Sequence, residues 1–436
     1  MEELINSLKG KKIALLGFGR EGKSTYRFIR KYLPCESLLI IDANIDVESE
    51  ENSYLLNDMN LEVWKTNDYL ELLDDWDIIF KSPGISFKGK DISNIRGKIT
   101  SQLEVLLKYI KVYSIGVTGT KGKSTTSTLI YNILKDAGKK VQLCGNIGVP
   151  PFDEIDEILD SEYVVIEMSS HQLQYMDVSP NIALLLNIFE EHLDHYNSYD
   201  EYALAKVNIA INQNEVDFFI YNKDNKKLME MIQDKDIKSK MISISANNKV
   251  TFNFEAERKL LGKHNEYNIM FALAVAEILK LDIKSTTKTI LNFEGLPHRM
   301  EYVGEYNHVK YYNDSISTIP EATMRAIETF KDTSTIIIGG MDRGIHYGGL
   351  AEYLINSNVD NIICMYDTGK KIYDMIKEKG TYKNVIYVKN LEEAVLAAKK
   401  VTKENTSCIL SPAAASYGVF KNFEERGNAF KEYVKN

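Results

Sequence analysis

Short aliphatic and β-branched runs recur along the chain with amphipathic stretches between them: Lys12–Leu16, Leu38–Asp42, Ile78–Phe80, Val112–Val117, Tyr163–Met168, Ile182–Ile188, Asp217–Tyr221, Thr335–Gly339, Asn361–Tyr366, Val385–Val388 and Ser407–Ser411. Apolar runs that alternate with helical periodicity predict parallel sheets covered by helices. Three runs precede residue 100, a second series begins at Val112, and a third follows the turn Gly295-Leu296-Pro297-His298-Arg299. The pattern predicts an α/β protein of three consecutive α/β domains, bounded at 1–100, 101–296 and 297–436. No Pro/Ser-rich linker or repeat marks the junctions.

Two of the strand-to-helix junctions carry chemistry. The run KKIALL leads into Gly17-Phe18-Gly19-Arg20-Glu21-Gly22, and Asp42 ends the next run, where a ribose-binding acid belongs. Glycines allow the tight turn, and the free N–H groups of a helix N-terminus suit a diphosphate. NAD and another nucleotide diphosphate fit this turn equally well, and a plain turn is the bland alternative. Lys81-Ser82-Pro83-Gly84 closes the third run at the same expected sheet edge.

The second junction is Val117-Thr118-Gly119-Thr120-Lys121-Gly122-Lys123-Ser124-Thr125-Thr126, followed by a helical stripe of Leu129, Ile130, Ile133, Leu134 and Ala137 that Gly138 ends. This is a shortened phosphate loop, with Val117 where the first glycine of the common pattern stands. Gly119, Thr120, Lys121 and Gly122 present backbone N–H groups to phosphate oxygens, Lys123 neutralises the β/γ-phosphates, and Ser124 or Thr125 reaches Mg²⁺. Glu167, ending YVVIEM, supplies a hard oxygen for the cation. One run later comes Asn187-Ile188-Phe189-Glu190-Glu191-His192-Leu193-Asp194-His195. His192 and His195 at i, i+3 allow zinc, but without a third soft ligand nearby, magnesium with ATP is preferred.

Composition narrows the field. With 53 Lys+Arg against 62 Asp+Glu the net charge is −9, which argues against nucleic-acid and membrane partners. The four cysteines, Cys35, Cys144, Cys364 and Cys408, show no CxxC spacing, so a reduced cytoplasmic setting is expected. No apolar run is long enough to span a bilayer.

The segments TGTKGKST, EMSSHQL, NIFEEHLDHY, KHNEYN, LPHRME, NDS and LSPAAASYGVFKNFEERGNAF appear in the order and spacing of the muramyl (Mur) ligase family, and the chain most resembles its glutamate-adding members. The resemblance implies a Rossmann-like N-terminal domain that binds a UDP-sugar, a central phosphate-loop ATPase domain and a Rossmann-like C-terminal domain that binds the amino acid. It implies ATP-driven peptide-bond formation on UDP-N-acetylmuramoyl-L-alanine through an acyl phosphate, in peptidoglycan precursor synthesis, by a cytoplasmic monomer serving cell division and cell shape.

Carried over position by position, Lys123 and Ser124 hold phosphate and Mg²⁺, Glu167 one Mg²⁺ and His192 a second; Asn265 and Asn268 lie beside adenine, with Arg299 and Asp314 on the nucleotide from the third domain. Gly17, Gly19, Arg20, Glu21, Asp42, Ser82, Gly84, Asn146 and His192 face the UDP-sugar, and Thr318, Arg343, Ser416, Lys421 and Phe423 the amino acid. Lys206, on the stretch Tyr199–Ile211 that reads as a helix, corresponds to a carbamylated lysine. A free ammonium beside two Mg²⁺ would be repelled by several kcal/mol at an effective dielectric of about 20, whereas a carbamate is an anionic oxygen ligand.

The chain departs from the pattern at Asn313-Asp314-Ser315-Ile316-Ser317-Thr318, where glutamate-adding members usually read N-D-S-K-A-T. Ile316 replaces a lysine that would pair with the incoming carboxylate. A smaller related group that adds L-glutamate has a similar D-S-I-S-T run, so the resemblance leaves the enantiomer open, with D-glutamate as the family default. Another amide ligase using a folate-type acceptor, an NAD oxidoreductase built on the first turn and a non-catalytic nucleotide binder are the rival readings.

Overall fold

The computed structural model describes residues 1–146, 149–247, 252–253, 258–260, 262, 264–342 and 344–436, with only the backbone of His264. Three sheets follow one another along the chain. The first has the spatial order Leu61–Trp64, Leu38–Ile41, Ile13–Leu16, Ile78–Lys81, Ile99–Thr100, all parallel. The second runs Lys240–Ile244, Phe218–Asn222, Ile182–Leu185, Tyr113–Thr118, Tyr163–Glu167, Val141–Gly145, also all parallel.

The third sheet corrects the all-parallel expectation. Its order is Glu301–Tyr306, Val309–Asn313, Ser407–Leu410, Thr333–Ile338, Asn361–Met365, Asn384–Val388, and the first pair is an antiparallel hairpin. That hairpin, and the strands at Leu61–Trp64, Ile99–Thr100, Val141–Gly145 and Lys240–Ile244, lie outside the apolar runs read from the sequence. All except Val309–Asn313 are edge strands, where one face keeps polar residues and the apolar run that marks a buried strand is lost.

Contacts divide the chain into two compact units, Met1–Glu255 with Asn265–Ile290, and Ala256–His264 with Leu291–Asn436. The first unit holds the first two sheets, and one apolar core runs through both, from Leu15 and Phe80 to Ile166 and Leu185. Phe28 stacks on Phe152 at 4.3 Å between ring centroids, and Arg27 pairs with Asp153 at 2.7 Å. The second unit carries two core layers, one on each face of its sheet. In every sheet the parallel strands deliver loops to their C-terminal edge, where α/β proteins bind ligands.

Candidate active site

The phosphate loop leaves Tyr113–Thr118 and enters the helix Lys123–Asp136, which buries Leu129, Ile130, Ile133 and Leu134 as their spacing predicts. Gly122 is the N-cap at φ +88°, and a Cβ there would stand 2.6 Å from Asn268 Oδ1. Only glycine fits that pinch. Asn268 in turn accepts from Thr126 Oγ1 (3.1 Å) and donates to Asn265 Oδ1 (2.8 Å), so both asparagines lie behind the loop. Asn187 clamps it from the other side, accepting from Lys121 N–H (2.9 Å) and donating to the Lys121 carbonyl (3.0 Å).

Three lysines converge on this loop. Lys123 Nζ donates to the carbonyls of Gly119 (2.9 Å) and Thr120 (3.1 Å), and Lys121 pairs with Glu191. Lys206 projects from the helix Tyr199–Ile211, whose bounds equal those read from the sequence, and donates to the same Gly119 carbonyl at 3.0 Å. It is 2% exposed. Burial first, and Lys123 second, hold its amine well below the usual lysine range. A neutral amine has the free electron pair that attack on CO₂ requires.

Glu167 ends the strand beside the loop and is 1% exposed. Its Oε1 accepts from Asn146 Nδ2 at 2.9 Å, while Oε2 is buried with no hydrogen-bond partner among the described residues. An orphaned carboxylate oxygen next to a loop lined with donors is the arrangement a hard cation satisfies. His192 sits at φ +59°, in the left-handed region, and lies against His171 at 4.8 Å between centroids, as His195 does at 4.1 Å. Burial, then mutual repulsion, depresses His171 to about 3; burial, then Lys81, depresses His195 to about 4, so neither is a cation near neutral pH. Among the described residues no three His, Cys, Asp or Glu side chains form a ready metal cage.

At the first turn Gly17 has φ +91°, and Gly22 packs so closely that a Cβ would meet the Gly17 carbonyl at 2.3 Å. Ser82 Oγ donates to that carbonyl (2.9 Å), and Asp42 Oδ2 accepts from Phe18 N–H (2.8 Å). Glu21 accepts from Gln172 Nε2 at 2.7 Å, while Gly19, Arg20 and Gly84 are exposed at the rim. The loop after Ser82 reaches the histidine segment: Ser86 Oγ donates to His195 O at 2.8 Å and Lys88 Nζ to Leu193 O at 2.5 Å.

In the second unit Asp314 is fully buried, accepting from Ser411 Oγ (2.8 Å) and Met300 N–H (3.2 Å); burial lifts its carboxyl to about 6 despite these bonds and Arg299. Arg299 Nε is buried without a partner. Ser416 is buried, Thr318 half-buried, Lys421 exposed, and Phe423 lies edge-on to His298 at 6.1 Å. Arg343 lies outside the described residues.

One residue escaped the sequence reading, and a second was placed at the sheet edge without a role of its own. Arg426 is 0% exposed and ties together Ser315 Oγ (3.0 Å), the Ser315 carbonyl (2.7 Å) and the Ala414 carbonyl (3.0 Å). Lys81 is a buried lysine at the acceptor edge; its signal was a charge closing an otherwise apolar strand.

A phosphate loop ringed by lysines, beside a buried carboxylate with an unused lone pair, is the apparatus of an enzyme that works on a nucleoside triphosphate and a hard cation. Residues 117–276 match the family described as Mur ligase middle domain, and residues 298–414 that described as Mur ligase, glutamate ligase domain. A protein of Clostridium kluyveri named UDP-N-acetylmuramoylalanine--D-glutamate ligase is 36% identical over 448 residues, covering 98% of this chain and 97% of that one. A protein of the same name from Clostridium acetobutylicum is 34% identical, covering 100% and 98%. The crystal structure of UDP-N-acetylmuramate-alanine ligase from Thermotoga maritima shares the fold, with TM-score 0.59 at 20% identity over 98% of this chain and 99% of that one. The chain belongs to the Mur ligase family, the ATP-dependent amide ligases of peptidoglycan synthesis.

Proposed function

We propose that this chain joins D-glutamate to UDP-N-acetylmuramoyl-L-alanine, at the expense of ATP, in the cytoplasm and as a monomer. The single observation that carries this reading is the convergence of Lys123, Lys206 and Lys121 on the loop 119–122, with the free Oε2 of Glu167 beside it. The alanyl carboxylate takes the γ-phosphoryl group and ADP leaves; the glutamate amine then adds to the acyl carbon, and phosphate and a proton depart. No protein nucleophile is needed, because positioning and charge neutralisation lower both barriers.

Mg²⁺, held by Ser124, Glu167, His192 and a carbamylated Lys206, would neutralise phosphate oxygens. The buried amine of Lys206, held well below the usual lysine range, supports the carbamate: the nitrogen of its unprotonated form adds to CO₂, a proton leaves, and an anionic oxygen ligand results. The roles of Asn265, Asn268, Arg299 and Asp314 at the nucleotide, of Asn146 and the first turn at the UDP-sugar, and of Thr318, Arg343, Ser416, Lys421 and Phe423 at the amino acid belong to the same reading. So do domain boundaries near 100 and 297.

Phosphate release with UDP-N-acetylmuramoyl-L-alanine and ATP tests the proposal, D-glutamate being compared with L-glutamate. Turnover with the D-enantiomer is expected, and none with a folate acceptor. Ile316 favours a second reading, the same acceptor with L-glutamate, because an aliphatic side chain stands where the amino-acid carboxylate expects a cation. Turnover with L-glutamate alone would select it.

A further inference from the structure

Lys81 closes the strand Ile78–Lys81 and pairs in register with Leu16, the residue before the first glycine turn. It is 6% exposed, yet among the described residues no carboxylate comes within salt-bridge distance of its ammonium. Among the described residues the ammonium's hydrogen bond is a long one, 3.4 Å, to the carbonyl of its own neighbour Ser82. Glu21 is close enough to favour the charge, but that carboxyl is committed to Gln172 and is itself raised by burial. Phe87 and Tyr175 hold the ammonium 6.0 and 5.8 Å from their ring centroids. Burial pulls Lys81 down to about 8, which leaves it mostly charged at pH 7.

A buried ammonium without a counter-ion is costly, and folded proteins retain one where a ligand completes it. Lys81 lines a small cavity with Glu21, Gly22, Ser82 and Gln102, beside the helix that starts at Arg20. A second orphan lies close by: Nε2 of His195 is buried with no partner, in the segment that Ser86 ties to this loop.

We infer that Lys81 is the cation that receives an anionic oxygen group of the acceptor substrate, with His195 Nε2 as a neighbouring neutral partner. The inference rests on the reading of the acceptor as a nucleotide sugar. That substrate offers two such groups, the diphosphate and the terminal carboxylate, and both are oxyanions a lysine pairs with. The glycine turn one strand away supplies the neutral N–H donors, and Lys81 adds a buried charge to that of the exposed Arg20.

The test is direct binding of UDP and of UDP-N-acetylmuramoyl-L-alanine to the full chain, by calorimetry, for wild type, Lys81→Met and Lys81→Arg. Lys81→Met should weaken the acceptor about tenfold or more and leave a non-hydrolysable ATP analogue within about twofold, while Lys81→Arg restores part of the loss. An equal loss for UDP assigns the diphosphate; a loss confined to the full acceptor assigns the carboxylate. Equal acceptor affinity in wild type and in a folded Lys81→Met overturns the inference alone, and the same result in Lys81→Gln stands in should the methionine variant not fold. A wild type that binds neither UDP nor the acceptor overturns the functional reading along with it.

Discussion

The two glycine turns of the first compact unit share a local plan and differ in their charge. Both follow a buried parallel strand and open a helix, and both contain glycines that a methyl group would block. Around Gly17–Gly22 the chain places two carboxylates, Asp42 and Glu21, and one buried cation, Lys81. Around Gly119–Gly122 it places Lys121, Lys123 and Lys206, two of which hold one carbonyl. Backbone N–H groups alone suit a diphosphate; a triphosphate that must shed its terminal group needs mobile positive charge and a metal as well. The surrounding tertiary charges separate an anchoring site from a reacting one.

The comparison breaks most visibly at Lys123. Lys123→Met should lower kcat/KM by about 10³-fold or more, with nucleotide-sugar affinity held within about twofold, in steady-state phosphate release and calorimetry. A loss of sugar binding of the same size would show that the two turns do not work separately.

Lys206→Ala should cost about 10²-fold, with partial recovery when short carboxylic acids are added, since a free carboxylate can replace the lost carbamate. An undiminished rate ends the carbamate reading.

The turns also differ in what an added methyl group meets. Gly22→Ala drives a Cβ to 2.3 Å from a backbone carbonyl, whereas Gly122→Ala meets the end of the Asn268 side chain at 2.6 Å and pays for a left-handed φ. Denaturant unfolding should show losses of about 2–3 kcal/mol and about 1–2 kcal/mol respectively.

The smallest effect sharpens the role of Lys81. Its folded value, about 8, lies below the ordinary 10.5, so the stability tied to its neutral form is complete above about 10.5 and is lost as pH falls through 8. At pH 7 the wild type carries the full penalty. Lys81→Met should therefore be more stable by on the order of 1–2 kcal/mol at pH 7, and that gain should shrink as pH climbs past 8. A gain independent of pH would mean that the ammonium is not what the fold resists.

The phosphate-loop helix was legible because its apolar residues repeat on one face, and Tyr199–Ile211 was legible to the residue. The hairpin Glu301–Tyr306 and Val309–Asn313 was not. It turns through Asn307 and His308, both at positive φ (51° and 60°), and Asn-His lacks the glycine by which such turns are read. Nor could spacing disclose that Arg426 binds Ser315 and Ala414 from far along the chain, or that Asn146 meets Glu167.

By itself the sequence determined the class of fold, the phosphate loop and the family, because apolar periodicity and glycine-lysine spacing are local properties of a chain. Only the tertiary structure decided which ionisable groups are buried: Lys81, Lys206 and Glu167 lie far apart in sequence, and each acquires its chemistry from burial that other segments impose. Desolvation depends on everything packed around a group, and no window of sequence contains that.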